Sequence, residues 1–586
     1  MAQLKEVMIT INGKIWTAPE GSTILEAARI NNIEIPTLCF LKEINEIGAC
    51  RMCVVEVKGA RSLVTACVYP ISEGIEITTN SKKVFDSRKT TLELILSTHE
   101  RKCLSCIRSG NCELQKLCKE FNVADEDYFN GENCEYEFDD SAVHMVRNNN
   151  KCILCRRCVA ACSKWQAVGV IGPNNRGFKT HIGSAYEQNL SEVPCISCGQ
   201  CIVVCPTGAI HEKDQTQEVW DALEDPRKHV IVQTAPSIRV TLGEAFHLPV
   251  GTNVEGKMVA ALRRIGFNKV FDTNVAADFT IMEEANEFLE RVSNNGPFPM
   301  FTSCSPGWVK YCESYHPELI PNLSTCKSPQ QMFGALAKTW YAEKEGIEPK
   351  DIFVVGIMPC TAKKFEVTRE DEAAAGYSDC DVALTTRELA RMIDKAGIRF
   401  VDLEDETFDN PLGEATGAGY IFGATGGVME AALRTAAETL AGHSLEQVEF
   451  TEVRGMSGIK EATYEMSGAT VNVAVASGIG NAKKLLKRIE SGEKAYHFVE
   501  IMGCPGGCIN GGGQPVQPAS VRNFVDLKTK RAAALYSEDK DKGLRKSNES
   551  PIVQKIYQEF LEKPGSLKAH HILHTSYRDR TVVKIP

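Results

Sequence analysis

Residues 152–162 read CILCRRCVAAC, and residues 195–206 read CISCGQCIVVCP. Both runs have the spacing C-x2-C-x2-C-x3-C, so together they form an internal repeat. Three closely spaced thiolates can hold three corners of a [4Fe–4S] cube, while the fourth cysteine of each run ligates the other cube. The repeat therefore predicts one domain, over residues 141–212, with two [4Fe–4S] clusters. Structural zinc is disfavoured because zinc sites do not call for this crossed run.

The crossed pattern assigns two ligand sets and resembles the bacterial ferredoxins that carry two [4Fe–4S] clusters. The first set is Cys152, Cys155, Cys158 and Cys205. The second set is Cys195, Cys198, Cys201 and Cys162.

The region before this domain, residues 81–140, reads as helical and contains the pattern His99-x3-Cys103-x2-Cys106-x5-Cys112. Helical spacing would place His99 one turn before Cys103. One imidazole and three thiolates predict a third accessory [4Fe–4S] site. The alternative is that His99 is an ordinary core or surface residue.

The first 80 residues predict a small β-grasp domain. Val7–Ile11 alternates like a strand, Asn12-Gly13 is a hairpin signal, and Lys14–Ala18 returns as a second strand. The pattern Thr23-x-x-Glu26 predicts a capping box that opens a short helix. Four cysteines follow in a spacing that is looser than, but similar to, that of [2Fe–2S] ferredoxins; the alternative is a set of buried thiols. These cysteines are Cys39, Cys50, Cys53 and Cys67.

The region after the double run predicts a linker and one large domain over residues 226–586. Asp221–Lys228 is charged and contains Pro226, which is typical of a linker. Beyond it, β-rich stretches such as His229–Thr234 alternate with helical ones, which predicts an α/β domain built on parallel sheets. Ser328-Pro329 predicts the start of a helix. Gly478-x-Gly480 lacks the third glycine of a dinucleotide fingerprint and indicates only a turn.

Composition limits the function classes. The chain has 586 residues and a net charge of −10, which argues against nucleic acid or an anionic membrane as a partner. No apolar run is long enough to span a bilayer, and Met1–Glu6 is not followed by an apolar signal core, so we expect a cytoplasmic protein. In that compartment its 24 cysteines indicate metal ligation rather than disulfides.

Three motifs in the last domain carry the functional interpretation. Residues 302–308 read TSCSPGW, residues 358–366 read MPCTAKKFE, and residues 500–515 read EIMGCPGGCINGGGQP. They resemble the three signatures of [FeFe]-hydrogenases, TSCCPxW, MPCxxKxxE and ExMxCxxGCxxGGGxP. The second and third agree at every fixed position. Met429, in the stretch FGATGGVME, is also similar to this family. The front domains resemble the long, multi-cluster hydrogenases and the N-terminal part of a respiratory NADH dehydrogenase subunit.

The resemblance implies an H-cluster, a [4Fe–4S] cube joined to a two-iron unit with CO, cyanide and a bridging dithiolate amine. Cys360 and Cys504 would hold the cube, and Cys508 would hold it while bridging to the two-iron unit. Lys363 would donate to a cyanide. Glycines 506, 507 and 511–513 would let the backbone approach the inorganic core. Further residues would line the two-iron pocket: Ala235, Pro236, Ser237, Gln330, Met358 and Met502.

A proton path is also implied. Glu284, Glu287 and Arg291 lie at i, i+3 and i+7, so they share one face of a predicted helix. Ser324 matches the serine that lies between the family's glutamates and its active-site cysteine. Without the resemblance, such a run would be read as a solvated helix face.

The first motif departs from the family at Cys304-Ser305. The family has two cysteines there: the first passes protons to the bridging amine and the second ligates the cube. Serine is a poor iron ligand because an alcohol ionises far less readily than a thiol. We therefore predict that Cys304 supplies the fourth ligand, with Ser305 beside it. The alternative is that Cys304 keeps the proton role and that Ser305, or Cys312, ligates.

The expected activity is the interconversion of H2 with protons and electrons. Its electrons would pass along one [2Fe–2S] and three [4Fe–4S] accessory clusters to ferredoxin, to partner subunits that bind flavin and NAD(H), or to both, as in electron-bifurcating complexes of anaerobic metabolism. The alternatives are a non-catalytic electron conduit and a sensory relative. Five cysteines are treated as packing residues: 118, 134, 312, 326 and 380.

Overall fold

The N-terminal hairpin and capping box form as predicted. A computed structural model describes residues 5–123, 133–441, 449–466 and 469–581. Its first elements are β1 (Glu6–Ile11), β2 (Lys14–Pro19), α1 (Ile24–Ile30), β3 (Val54–Val57), β4 (Val64–Thr65) and β5 (Glu76–Thr78). The strands form a sheet in the order β2-β1-β5-β3-β4. Asn12 and Gly13 have φ values of 51° and 78°, as a tight hairpin turn requires. Thr23 and Glu26 cap α1 reciprocally.

The next region is less helical than the sequence indicates. It contains α2 (Lys82–Ser97) and α3 (Glu113–Glu120). Because α2 ends at Ser97, the expectation that His99 lies one helical turn before Cys103 is wrong. A short 3-10 turn, Cys103–Ser105, occupies the loop instead. Residues 124–132 of the predicted helical region lie outside the described residues, and so do residues 1–4.

The double cysteine run repeats in the backbone as well as in the sequence. This region contains β6 (Met145–Arg147), α4 (Arg157–Ala160), β7 (Gly172–Asn174), β8 (His181–Gly183), α5 (Gln200–Val204) and β9 (Ile210–Glu212). In the first run Leu154 and Arg156 have positive φ, and in the second run Ser197 and Gly199 have it at the equivalent positions. A short helix begins inside each run at the equivalent position, at Arg157 and at Gln200. These left-handed residues turn the chain back on itself so that successive thiols face one centre.

The predicted linker is partly helical. Helix α6 (Thr216–Glu224) includes the first half of Asp221–Lys228. The apolar side chains of Val219 and Ala222, one turn apart, are buried against the last domain. Packing of this face therefore outweighs the charge of the segment.

The last domain is built on two four-stranded sheets. Its strands are β10 (His229–Thr234), β11 (Lys269–Asp272), β12 (Met300–Thr302), β13 (Ile352–Met358), β14 (Val382–Thr385), β15 (Ile459–Met466), β16 (Ala469–Ser477) and β17 (Phe498–Met502). The first sheet, β11-β10-β13-β14, is entirely parallel. In the second, β12-β17-β16-β15, the only antiparallel pair among the described strands is β15 with β16. Parallel strands confirm the predicted α/β class.

The helices cover both sheets. They are α7 (Glu255–Ile265), α8 (Thr273–Ser293), α9 (Pro306–Tyr315), α10 (Pro329–Leu336), α11 (Ala342–Glu345), α12 (Lys363–Glu366), α13 (Thr386–Lys395), α14 (Gly417–Ile421), α15 (Gly427–Ala441), α16 (Ile479–Glu490), α17 (Ala519–Arg522), α18 (Leu527–Asp541), α19 (Pro551–Ile556) and α20 (Leu567–Leu573). Pro329 occupies the first turn of α10, as predicted. Gly478 (φ 82°) makes the turn from β16 into α16. Within the described ranges, no helix is both long enough and apolar enough to cross a membrane.

The C-terminal segment packs across the rest of the last domain. Arg531 of α18 donates to the carbonyl of Ile509 at 2.7 Å and pairs with the buried Glu244 at 2.6 Å. Tyr557 donates to Glu283 of α8 at 2.5 Å. Cys326 and His574 pair as an isolated antiparallel bridge. The segment therefore completes the core and carries side chains to α8.

Candidate active site and iron–sulfur ligand sets

The carboxyl ends of four strands meet at one cavity. Ala235 follows β10, Cys304 follows β12, Cys360 follows β13 and Cys504 follows β17, and all four residues line it. Ligands in open α/β sheets bind at this edge. The cavity holds about 660 Å³ of space free of protein atoms. All three sequence motifs therefore converge on one site, although they lie far apart in the chain.

Cys304 lies among the motif thiols. A hydrogen bond from the Cys508 thiol lowers the pKa of Cys304, opposed by burial and helped by the Lys363 charge. The same bond, and then burial, raises the pKa of Cys508 well above its ordinary value. Cys360 and Cys504 line the same cavity. Four sulfur atoms thus face one space, which suits a [4Fe–4S] cube.

Ser305 also borders the cavity, beside the loop that carries Cys504. A Cβ built on Gly503 would lie 2.4 Å from the Ser305 hydroxyl oxygen. Cys312, the more distant alternative, is buried in an apolar cluster with Trp308 and Tyr311 and is not among the cavity-lining residues. The arrangement therefore favours Cys304 over Cys312 as the fourth thiol.

Lys363 is held as a charged side chain at the cavity wall. Its ammonium donates to Ser328 at 2.6 Å and to Glu366 at 2.8 Å. Burial alone would lower the pKa of Lys363, but the charges of Glu366 and Cys304 raise it above its ordinary value. An ammonium fixed in an apolar cavity is a strong donor to an anionic ligand. The sequence reasoning missed Glu366 and Ser328, although Glu366 is the fixed glutamate of the second motif.

The remaining predicted lining residues lie at the cavity with one exception. Ala235, Pro236, Gln330, Met358 and Met502 line it. The Gln330 side-chain amide donates to Glu366 at 3.1 Å, while its Oε1 atom is buried and has no partner among the described residues. Ser237 directly follows the lining residue Pro236 but is not itself among the lining residues. Its hydroxyl accepts a hydrogen bond from Gln514 at 3.1 Å, and its role towards the cofactor stays a prediction.

The motif glycines pack closely against protein backbone, and Gly507 and Gly511 also line the cavity. Their approach to the inorganic core stays a prediction. A Cβ on Gly511 would lie 2.1 Å from the carbonyl oxygen of Pro359, and one on Gly512 would lie 2.2 Å from that of Cys198. Gly507 (φ 98°) approaches the backbone of Thr425 in the same way. The close contacts are with protein backbone, so these glycines pack loops together around the cavity.

The predicted proton-path residues form a connected group. Thr302, at the end of β12, donates to Glu284 at 2.7 Å. Ser324 donates to Glu287 at 3.2 Å and also contacts Glu284. Arg291 donates to Glu287 at 2.6 Å. Burial raises the pKa of Glu284 to about 7, so this carboxyl exchanges its proton near neutral pH.

The two ligand sets of the double run each line one cavity. Cys152, Cys155, Cys158 and Cys205 surround the first. Cys162, Cys195, Cys198 and Cys201 surround the second. The fourth cysteine of each run therefore faces the other run's cavity, in the crossed arrangement.

The cysteines of the first domain lie in contact in pairs, and His99 has the state that metal ligation requires. The thiols of Cys53 and Cys67 lie 3.3 Å apart, and the Cys39 amide donates to the Cys50 sulfur at 3.3 Å. Burial lowers the pKa of His99 to about 4, so its imidazole is neutral. The His99 Nδ1 atom is buried without a partner among the described residues. A neutral imidazole with a free nitrogen suits metal ligation.

The second ferredoxin-like site adjoins the catalytic loops. Gln166 donates to the carbonyl of Gly503 at 2.9 Å, and Gln200 donates to that of Asn510 at 3.0 Å. Thr361, next to Cys360, donates to the carbonyl of Ser197 at 2.7 Å. Loops bearing ligands of both sites are thus in direct contact, which suits electron transfer between them.

Comparison with known proteins identifies the family. Residues 228–512 match the family model described as the C-terminal domain of the iron only hydrogenase large subunit. The chain is 48% identical to the NADP-reducing hydrogenase subunit HndD of Solidesulfovibrio fructosivorans, over 98% of this chain and 99% of that one. It is 47% identical to iron hydrogenase 1 of Clostridium pasteurianum, over 97% and 99%. The chain belongs to the [FeFe]-hydrogenase family.

The other parts of this hydrogenase match in the same way. Residues 4–82 match a 2Fe-2S binding domain, 88–127 an iron–sulfur region of NADH-ubiquinone oxidoreductase, 151–211 a 4Fe-4S dicluster domain, and 525–580 the iron hydrogenase small subunit. The [FeFe]-hydrogenase HydA1 from Chlamydomonas reinhardtii, solved as an apo variant, covers 63% of this chain and 100% of its own, at 41% identity and a TM-score of 0.57. The enzyme oxidises H2 and reduces protons in its catalytic domain, and its iron–sulfur accessory domains transfer the electrons. The conduit and sensor alternatives are therefore set aside.

Proposed function

We propose that Cys304, Cys360, Cys504 and Cys508 hold the H-cluster in the strand-end cavity. The observation that carries this is the meeting of four thiols and one ammonium in one apolar space. When bound, the H-cluster supplies an open iron at which H2 is split heterolytically and a bridging amine that takes the proton. Cys508 would hold both the cube and the two-iron unit, as the family motif implies.

Cys304 takes the ligand position that the family gives to the next residue. Its thiol already contacts that of Cys508, and the positive charge of Lys363 favours its thiolate. Ser305 has only a hydroxyl to offer, which ionises less readily and binds iron less well. Ser305 instead stands beside Gly503, where it supports the Cys504 loop.

The other cavity residues orient the cofactor and exclude water. Lys363 donates to an anionic ligand of the two-iron unit, and Glu366 and Ser328 hold its ammonium in place. Gln330 adds a polar group with an unsatisfied oxygen. Ala235, Pro236, Met358 and Met502 contribute apolar and thioether surface.

Protons travel along the α8 face. Glu284 exchanges a proton near neutral pH, Ser324 passes it to Glu287, and Arg291 holds the Glu287 carboxylate at the outer end. Each contact is within hydrogen-bond distance, as proton transfer requires. Since Cys304 is assigned to the cube, the innermost step lies between Glu284 and the cavity through Thr302.

The site of Cys162, Cys195, Cys198 and Cys201 adjoins the Cys504 loop, so a cluster held there would accept electrons from the catalytic domain and pass them towards the front domains. We infer one [2Fe–2S] and three [4Fe–4S] accessory clusters, held by the ligand sets described above. The relative named as an NADP-reducing hydrogenase subunit supports partner subunits that handle NAD(P)(H). Flavin in those subunits, and ferredoxin as a second partner, are proposed from the sequence resemblance. No disulfide joins any of the 24 cysteines, which is compatible with the proposed place of the enzyme in the reducing cytoplasm.

Cys304→Ala tests the ligand assignment, with Ser305→Ala as the matched control. We expect Cys304→Ala to remove the cube's electron paramagnetic resonance signal from protein made without the two-iron unit. Ser305→Ala should retain that signal. The reverse pattern would assign the ligand to Ser305. An intact cube in Cys304→Ala with slow turnover would make Cys304 the proton carrier.

Iron content tests the cofactor assignment as a whole. We expect roughly twenty iron atoms per matured chain from these cluster types. Expression without the family's maturation enzymes should leave about two fewer and no H2 turnover. Full activity from such a host would exclude the H-cluster.

A further inference from the structure

A second group of ligand-type side chains lies at the outer end of the α8 proton path. Glu287, Cys326 and His574 each place one ligand atom within 4.8 Å of those of the other two. Cys326 and His574 are 7% and 8% exposed. Cys326 follows the path residue Ser324, and His574 ends the C-terminal helix α20. Neither belongs to the cofactor site or to any cluster ligand set.

The backbone holds the group in place before any ligand binds. Cys326 and His574 face each other in an antiparallel bridge, and the amides of Lys327 and Thr575 donate across it at 2.9 and 2.8 Å. The Cys326 sulfur lies 3.9 Å from a carboxylate oxygen of Glu287. Thr325 connects that same oxygen, at 3.3 Å, to Nδ1 of His574, at 2.8 Å.

The far side of the histidine is fixed by a carboxylate. His574 Nε2 lies 3.1 Å from Glu283, which also accepts a hydrogen bond from Tyr557 at 2.5 Å. A histidine that ligates a metal through one nitrogen commonly bonds a carboxylate through the other. Glu283 is 1% exposed and cannot relax into solvent. The imidazole is therefore held between Glu283 at Nε2 and, at Nδ1, the Thr325 hydroxyl that also contacts Glu287.

The charge of the pocket favours a cation. Burial, and then the carboxylates of Glu287, Glu284 and Glu283, raise the pKa of the Cys326 thiol well above its ordinary value. Arg291 is the basic side chain that pairs with Glu287. Thiolate, imidazole and carboxylate are the ligand types of zinc. At zinc bond lengths of about 2.0–2.3 Å, three such ligands stand roughly 3.3–3.8 Å apart, so small side-chain rotations close the site.

We propose that Glu287, Cys326 and His574 form an inhibitory site for a thiophilic divalent cation, with Zn²⁺ the fitting ion. Binding exchanges the Cys326 proton for the metal and occupies the Glu287 oxygen that accepts from Ser324 and Thr325. Bound zinc therefore interrupts the proton path without touching the H-cluster. The inhibitory effect rests on the proposed role of Glu287, whereas the binding does not.

Zinc binding to the cluster-loaded enzyme is measured first. Holoenzyme is treated with chelator and dialysed anaerobically against Zn²⁺, and zinc and iron are counted by mass spectrometry. We expect one zinc more in the wild type than in Cys326→Ala or His574→Gln. Two matched controls should keep it: Cys312→Ala, another buried thiol, and His570→Gln, whose ring stacks 4.4 Å from that of His574. Zinc K-edge absorption should show one sulfur ligand and the remainder nitrogen or oxygen.

Turnover is measured on the same samples. We expect saturating Zn²⁺ to slow wild-type H2 production on the order of a hundredfold, the contribution of one proton-transfer group. Cys326→Ala should be insensitive to zinc. Equal zinc content in wild type, Cys326→Ala and His574→Gln would overturn the site. Zinc that binds as expected but leaves turnover unchanged would support the site and overturn the relay role of Glu287.

Discussion

Residues 141–212 and the strand-end cavity both gather cysteine thiols, but they do so in different ways. In residues 141–212, three thiols of each set come from one short run whose left-handed residues turn the chain around a centre. In the catalytic cavity, the thiols arrive from loops after β12, β13 and β17. In the first kind of site, most ligands are specified by the spacing of cysteines close together in the sequence. The second exists only once two sheets have packed, so its ligands depend on the whole domain.

The largest expected effect separates the two kinds of site directly. Cys508→Ser should abolish H2 turnover, because a bridging thiolate is needed to hold the two-iron unit. The accessory clusters should still be reduced by dithionite, since their ligands lie in other runs. Electron paramagnetic resonance of reduced protein measures this, with Cys312→Ser as control. Normal turnover in Cys508→Ser would remove that residue from the site.

In residues 141–212, loss of one ligand should remove only the cluster that this ligand holds. Cys205→Ala removes a thiol that lies in the second run but faces the cavity of the first run. We expect a loss of about four iron atoms and of one cluster signal. The cluster that includes Cys195 should persist, and H2 turnover with an artificial electron acceptor should fall without vanishing. Loss of the Cys195 cluster instead would mean that the sets are not crossed.

The proton path gives a smaller, pH-dependent effect. Burial raises the pKa of Glu284 to about 7. The carboxyl is therefore protonated below that pH and loses its proton above it. We expect H2 production to fall as the pH rises through about 7, approaching tenfold per pH unit. Glu284→Gln should give a slower rate without this step, whereas Glu290→Gln, on the same helix, should keep it. A step that survives in Glu284→Gln would assign the titration to another group.

The smallest effect concerns the contact between the two regions. Ala at Gly512 would place a Cβ 2.2 Å from the carbonyl oxygen of Cys198 and 2.7 Å from the Cα of Gly199. Backbone atoms cannot rotate away, so we expect Gly512→Ala to cost about 1–3 kcal/mol and to lower the thermal midpoint. Gly543→Ala, where the Cβ would meet no atom within 4 Å, should have little effect. If Gly512→Ala and the wild type had equal thermal midpoints, the Gly512 and Cys198 loops would have to move apart without cost.

Local patterns accounted for much of the fold and for the accessory ligand sets. The hairpin at Asn12-Gly13, the Thr23–Glu26 capping box and the crossed runs all depend on residues close in sequence. The catalytic residues were predicted through the family motifs, because no local spacing relates Cys304 to Cys360. Lys363 was predicted without Glu366 and Ser328, which hold it. Glu283 and His574 gave no signal, since the contact between α8 and the last helix exists only in the folded chain.

For Ser237 and the motif glycines, the sequence predicted a place near the cofactor but did not predict their protein neighbours. The Ser237 hydroxyl accepts a hydrogen bond from Gln514, and Gly512 lies close to the Cys198 carbonyl. Likewise, His99 was placed on a helix that ends at Ser97. A motif predicts which residues lie at the functional site, whereas their contacts follow from the packing of the folded chain.

The docking of the C-terminal segment has a consequence for how the enzyme can be encoded. Arg531 is tied to Glu244 and Ile509, Tyr557 to Glu283, and His574 to the Cys326 strand. These bonds, and not the peptide link that leads into α18, keep the segment in place. The iron hydrogenase small-subunit model begins at residue 525, close to that link. A gene split at this point would therefore yield two polypeptides that assemble into the same enzyme. Fusion of two such genes would likewise leave the contacts between the two segments unchanged.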